Sequence, residues 1–408
     1  SPALTAPALW FGPVQNGKVQ MYSASVSTYP GSSSSRIFLQ ELKTKTDPGR
    51  PGRHSLAALN ERDIKSREPN FNSRQTVIRL PGGVYRIGPT RDGIVGLNGN
   101  DGKNDTFGIY KDRLVTPEVD EWAKVLLPWT VRYYGNDDIF KTFNQPNNKK
   151  QSDKKQYSQK YRIRTKEDDN DKPRDLGDIV NSPIVAVGGY LATAANDGMV
   201  HIFKKNGGGD ERSYNLKLSY IPGTMERKDI ENQDSTLAKE LRAFAEKGYV
   251  GDRYGVDGGF VLRRITDDQD REKHFFMFGA MGLGGRGAYA LDLSKIDSSN
   301  LTGVSMFDVQ NDKNNNNNKN DNNRVKLGYT VGTPQIGKTQ NGKYAAFLAS
   351  GYAAKDIVSG DNTTALYVYD LENGSGSLIK KIEVKDGKGG LSSPTLVDKD
   401  LDGIVDIA

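Results

Sequence analysis

A chain of 408 residues with 57 Lys and Arg against 51 Asp and Glu carries a formal net charge of +6, too mild for a surface saturated with nucleic acid. It has no cysteine and three histidines, His54, His201 and His274, which excludes disulfides, thiolate nucleophiles and Cys-rich zinc sites, and allows a three-histidine metal site only if all three converge. No apolar run approaches the ~18 residues of a membrane span, and a hydrophobic share of 35% points to short half-buried strands joined by long polar loops.

Residues 1–10 lack the basic and apolar regions of a signal peptide, so the sequence reads as a mature chain or an excised fragment. The stretches 19–26 and 75–87 alternate as strands, whereas 29–35 and 60–72 read as loops. A helix is expected over 117–127. In 147–174 a basic block running from Lys149 to Lys166 is followed by Glu167, Asp168, Asp169 and Asp171. Tyr157 and Tyr161 could stack on bases, but a basic block beside an acidic one reads as a solvated linker, so no nucleic acid is expected as a partner. Residues 1–175 are therefore taken as an N-terminal β and loop region that ends in a charged linker and either joins the next domain or flanks it.

From 176 onward a repeat emerges. Its first unit contains 182–187, 190–195, an Asn196-Asp-Gly198 turn, 199–203 and 214–220, four short strands in roughly 40 residues, the size of one propeller blade. A second unit has 259–262, 274–278 and 288–293; a third has 333–336, 344–349, 365–370 and 378–383; a fourth opens at 393–397. Gly makes up 45 of the 408 residues, an excess over the usual ~7% that suits many tight turns. The fold class is therefore all-β: a β-propeller of four-stranded antiparallel blades over 176–408, incomplete at its C-terminus, with a few peripheral helices and long loop insertions. One helix is expected at 235–246, capped by Asp234 or Ser235 and stopped by Gly248.

Three other features read as structural. His201 lies in an alternating strand, which argues against a catalytic role. Gly282 to Gly287 fits G-x-G-x-x-G, but a dinucleotide fingerprint must open a helix, and here a strand follows, so a glycine-rich hairpin is expected. The Asn-rich tract 311–323 reads as a disordered loop between strands.

The chemically informative motif is Asp398-Lys-Asp-Leu-Asp-Gly-Ile-Val-Asp406. Carboxylates at Asp398, Asp400 and Asp402 converge because Gly403 permits a sharp turn; Ile404 can offer its carbonyl and Asp406 closes the set. Hard oxygen donors in that number select Ca²⁺, and four Asp within nine residues would repel one another strongly without a cation. An EF-hand would place a helix before the loop, whereas 391–397 reads as strand.

The segments 176–183, 195–203, 220–224, 284–292, 327–330 and 391–398 resemble the C-terminal propeller of the PilC/PilY family of type IV pilus biogenesis and tip-adhesin proteins, with similarity running from about 115 to 408. That resemblance implies export to the bacterial outer membrane, cell surface or pilus tip, with pilin or minor pilins, the pilus assembly machinery and a host cell receptor as partners. It implies a non-enzymatic role in supporting pilus assembly or opposing retraction, and in adhesion to host cells, with calcium at Asp398, Asp400, Asp402, Ile404 and Asp406. The rival is a quinoprotein dehydrogenase, since 367–374 also resembles quinone-binding propellers. That chemistry uses a Trp beneath the quinone and often a vicinal disulfide, but the chain has no Cys, and Trp10, Trp122 and Trp129 all precede the recognisable blades.

Overall fold

The computed structural model describes strand backbone within 3–56, and then chiefly 68–89, 95–98, 104–109, 121–125, 175–206, 214–245, 254–312, 323–352, 364–384, 393–398 and 404–405, less Asp178 and Ile230. The charged stretch 147–174 and most of the Asn-rich tract lie outside the described residues.

Three four-stranded antiparallel meanders follow one another. Blade 1 consists of Val185–Val187, Tyr190–Ala194, Val200–Lys205 and Tyr214–Pro222. Blade 2 consists of Phe260–Thr266, Glu272–Ala280, Ala288–Asp292 and Ser305–Val309. Blade 3 consists of Gln335–Lys338, Tyr344–Ala349, Ala365–Asp370 and Leu378–Glu383. Local chemistry sets the turns: the first hairpin of blade 1 is closed by Gly188 and Gly189, both at positive φ (56° and 82°), the conformation a two-residue turn needs to match strand twist. The sequence signals missed the fourth strand of blade 2, because Ser305 and Asp308 give it the look of a loop.

The blades stack face to face, and residue parity decides which core a side chain enters. On one face of blade 1, Ala192, Ile202 and Leu218 meet Leu262, Phe275 and Met277 of blade 2. On the other face of blade 2, Phe276, Phe278 and Ala290 meet Ile336, Ala346 and Tyr367 of blade 3. The far face of blade 3 presents Ala345, Phe347, Leu366 and Val368, and onto it pack Leu396 and Val405. Burying each of the larger side chains stabilises the stack by about 1.5–3 kcal/mol.

A chain of hydrogen bonds links the segments that lead into successive blades. Asn181 donates its backbone N–H (3.2 Å) and side-chain amide (2.8 Å) to the carboxylate of Asp257. The Gly259 N–H donates to the Gly332 carbonyl at 3.1 Å. The Thr333 N–H then donates to Ser393 Oγ at 3.0 Å. Asp257 is nearly sealed from solvent, and this burial raises its carboxyl above the usual range.

The N-terminal region attaches to blade 1 in two ways. Strands Ala8–Gln15, Lys18–Tyr29 and Ser34–Leu42 form an antiparallel sheet whose Ala24 and Ile37 share a core with Leu176, Leu191 and Phe203. The hairpin Gln75–Leu80 and Gly83–Pro89 adds to the outer edge of blade 1, with Gln75–Leu80 running parallel to Tyr214–Pro222. An antiparallel meander alone does not anticipate that pairing.

The helices differ from expectation. Glu121–Val125 is shorter than the 117–127 stretch, and the second helix is Leu237–Ala245. Asp234–Thr236, expected to cap it, instead pairs as a strand with Glu226–Lys228, and the helix N-terminus is met by Thr236 Oγ1, which accepts the Lys239 N–H at 3.4 Å. The expected stop at Gly248 lies outside the described residues. The inner face of this helix, Leu237, Ala238 and Leu241, is buried in the core shared by blades 1 and 2.

Candidate functional site

Of the five proposed calcium ligands, Asp398 and Ile404 belong to the described residues and are half-buried; Asp400, Asp402 and Asp406 lie outside them, as does Gly403. The strand expected at 393–397 forms no ladder among the described residues. Instead, both flanks of the acidic loop fasten to blade 3. Before the loop, Ser393 accepts the Thr333 N–H and Leu396 packs on the Phe347 face. After it, Ile404 bridges Lys338 in parallel, and the Val405 N–H donates to the Lys338 carbonyl at 2.7 Å.

Gly337 makes this close approach possible. A Cβ at 337 would stand 2.5 Å from Val405 Cγ2 and 2.8 Å from Leu396 Cδ1, distances real side chains do not tolerate. The two flanks of the acidic segment, Leu396 before it and Val405 after it, thus meet over one glycine. The donor set suits a hard divalent cation: carboxylates at alternate positions, one backbone carbonyl, and neither sulfur nor imidazole. Among the described residues, no group of three or more His, Cys, Asp or Glu could hold a metal ion.

His201 and His274 do not share a site. His201 is fully buried in blade 1, with Nδ1 2.8 Å from Ser219 Oγ and Nε2 3.0 Å from Asp197 Oδ2. This has the composition of a Ser-His-Asp triad, but Ser219, His201 and Asp197 are all sealed from solvent, so no substrate can reach the hydroxyl. The Asp197 carboxylate also accepts the N–H groups of Gly177 (2.9 Å) and Met199 (3.1 Å), clasping the segment that leads into blade 1 to the Asn196-Asp-Gly198 turn. The separations Asp197, His201 and Ser219 hold no visible signal of this clasp except that a turn and two strands fall in register. His274 lies on blade 2, stacked on Phe276 and 3.4 Å from Glu372 of blade 3, and the side chain of His54 is outside the described residues.

The glycine fingerprint behaves as a hairpin element. Gly282–Gly284 forms one turn between two strands of blade 2, and a Cβ on Gly284 would fall 1.6 Å from the Gly255 carbonyl oxygen, so the loop is packed shut against its neighbour. Nor do the described tryptophan contacts suggest a quinone platform. Trp122 stacks on Phe107 at 5.6 Å and 6° and is buried in the blade 1 core.

Compared with known proteins, residues 176–408, more than half of the chain, match the family model described as the PilY1 beta-propeller domain. The chain belongs to the PilY1 β-propeller family. Together with the three antiparallel blades, that match identifies the fold as a β-propeller. Among relatives, the chain is similar to the type IV pilus biogenesis factor PilY1 of Pseudomonas aeruginosa strain UCBPP-PA14, 32% identical over 251 residues that cover 57% of this chain and 20% of that protein. It is also similar to the PilY1 homolog of Xylella fastidiosa strain Temecula1, at 29% over 230 residues, covering 53% of this chain and 13% of the relative. The matched part thus spans about a fifth or less of these PilY1 proteins.

Proposed function

We propose that this PilY1-type propeller is a non-enzymatic, calcium-bearing component of the type IV pilus machinery, exported to the cell surface or pilus tip, which supports pilus assembly or opposes retraction and takes part in adhesion to host cells. The observation that carries the reading is the conjunction of a family whose curated relatives are named type IV pilus biogenesis factors with an acidic loop whose two ends are fastened over Gly337. Asp398, Asp400, Asp402 and Asp406 would supply carboxylates and Ile404 its carbonyl. Bound there, calcium neutralises charges that would otherwise force the loop apart.

Blades couple mainly through adjacent interfaces, so ordering one loop changes a local surface and leaves distant cores intact. That surface, offered to pilin, minor pilins or the retraction apparatus, is where calcium would act. The test is an Asp402→Ala strain scored for surface pili with the retraction motor present and absent. Loss of pili only when the motor runs supports a role against retraction. Equal piliation of mutant and parent with the motor running refutes it, and loss in both backgrounds points to assembly.

A further inference from the structure

We infer that Gly337, a residue on blade 3 that contributes no ligand, positions the acidic loop and sets its affinity for calcium. The inference builds on the calcium reading above and adds the residue over which the two flanks of the acidic segment meet.

Gly337 lies in the first strand of blade 3, where its Cα faces the hydrophobic cluster of Ala345, Phe347, Leu366 and Val368. Leu396, two residues before Asp398, and Val405, one residue after Ile404, occupy the space that any side chain at 337 would need. The two intrusions differ in how easily they could be relieved. The Leu396 contact is made by the end of a flexible side chain, which can rotate aside. The Val405 contact is made by a β-branched methyl whose own backbone donates to Lys338, the residue next to Gly337. Val405 has few χ1 rotamers with which to avoid a methyl at 337, and a backbone shift would strain the 2.7 Å hydrogen bond to Lys338. Ile404 is bridged to the same Lys338, so a displacement of Val405 would be passed directly to the carbonyl proposed as a ligand.

Alternating carboxylates repel one another until a cation arrives, so gathering them costs free energy. Closing the two flanks of the segment over one small residue removes part of that cost. The arrangement also explains why a glycine stands in a strand where β-propensity disfavours it.

The experiment is a calcium titration of the parent chain, Gly337→Ala, Val405→Ala and the double variant Gly337→Ala/Val405→Ala, read calorimetrically, with hydrogen exchange of 393–405 followed in chelator. Gly337→Ala should weaken calcium binding by about tenfold or more, as loss of a positioning contact around a metal site does. It should also speed exchange of 404–405. The double variant, which removes the Val405 methyls, should recover most of the affinity, a rescue that general destabilisation would not produce. If Gly337→Ala does not fold, Val405→Phe overfills the same contact from the loop side and should show the same loss. Calcium binding by Gly337→Ala equal to the parent overturns the inference and leaves the calcium site standing, as does a weakened variant that Val405→Ala fails to rescue. A parent chain that binds no calcium removes the site and the inference together.

Discussion

The Tyr220 phenol donates a 2.8 Å hydrogen bond to Asp308, tying the last strand of blade 1 to the last strand of blade 2. Thr224 donates to the other carboxylate oxygen at 3.1 Å, and Arg79, from the hairpin added to the edge of blade 1, approaches within 3.8 Å while donating to Ser305 Oγ at 2.8 Å. Three parts of the chain that are distant in sequence therefore meet at one carboxyl group. Burial pushes Asp308 up to about 6, against the lowering effect of Arg79, Tyr220 and Thr224.

A pH dependence follows. With the folded value above the unfolded 3.8, the native state holds this proton more tightly than the unfolded chain. The stabilisation is complete below about pH 4 and is lost as pH rises through about 6. The full span is on the order of 3 kcal/mol at 1.36 kcal/mol per unit. Asp308→Asn should flatten the fall in thermal stability between pH 4 and 6.5, leaving a smaller slope of the same sign from Asp257, whose burial also raises it. A variant whose stability profile parallels the parent across that range would contradict this account.

The sealed Ser219-His201-Asp197 clasp should matter for stability and not for chemistry. Removing Asp197 by substitution with Ala would take the carboxylate away from the Gly177 and Met199 N–H groups and the His201 ring, at about 1–3 kcal/mol for each group left unsatisfied. Chemical denaturation should show a loss of several kcal/mol for Asp197→Ala and a smaller one for Ser219→Ala. Labelling of Ser219 by a fluorophosphonate probe in the native protein would show that the hydroxyl is accessible after all.

Gly284→Ala should rank among the most damaging single substitutions. Its Cβ would be placed 1.6 Å from the Gly255 oxygen, with backbone on both sides, so relief requires moving two loops. A loss of more than roughly 3 kcal/mol is expected, in the range reserved for overpacking and backbone strain. A melting temperature within a degree of the parent would show that these loops yield easily.

Calcium removal should act locally. Far-ultraviolet circular dichroism in chelator should match the calcium-loaded protein, while amide exchange rises in 393–405 and stays unchanged in Glu272–Ala280 at the centre of blade 2. Asp402→Ala should reproduce the chelated pattern even in calcium. Global loss of β signal on chelation would instead make the ion a requirement of the whole fold.

The parts of this architecture legible in sequence are those governed by short-range periodicity. Strands such as Tyr190–Ala194 and Ala365–Asp370 announce themselves through β-branched and aromatic residues between Gly, Asn and Asp turns. The acidic motif is likewise contained in nine consecutive residues, although of its proposed ligands only Asp398 and Ile404 are among the described residues. What escaped were relations between distant residues. The parallel partner of Tyr214–Pro222 lies more than a hundred residues upstream, and nothing in Gln75–Leu80 marks which strand it will join. Ser305–Val309 was missed because Asp308, buried by neighbours from blade 1 and the added hairpin, looks like a surface residue until those neighbours are in place. Gly337 escaped likewise, because its role is defined by two side chains beyond the end of its own blade.

Alternation along each blade strand has a further consequence. Phe275 and Phe276 are adjacent in the chain, yet the first belongs to the core shared with blade 1 and the second to the core shared with blade 3. The same division separates Leu262 from Val261, and Ala346 from Ala345. A blade therefore works as a two-sided ledger of contacts, with odd and even positions addressed to different neighbours. Variation at one parity can retune a single seam while the opposite seam keeps its shape, so one end of the stack can change its packing without disturbing the other.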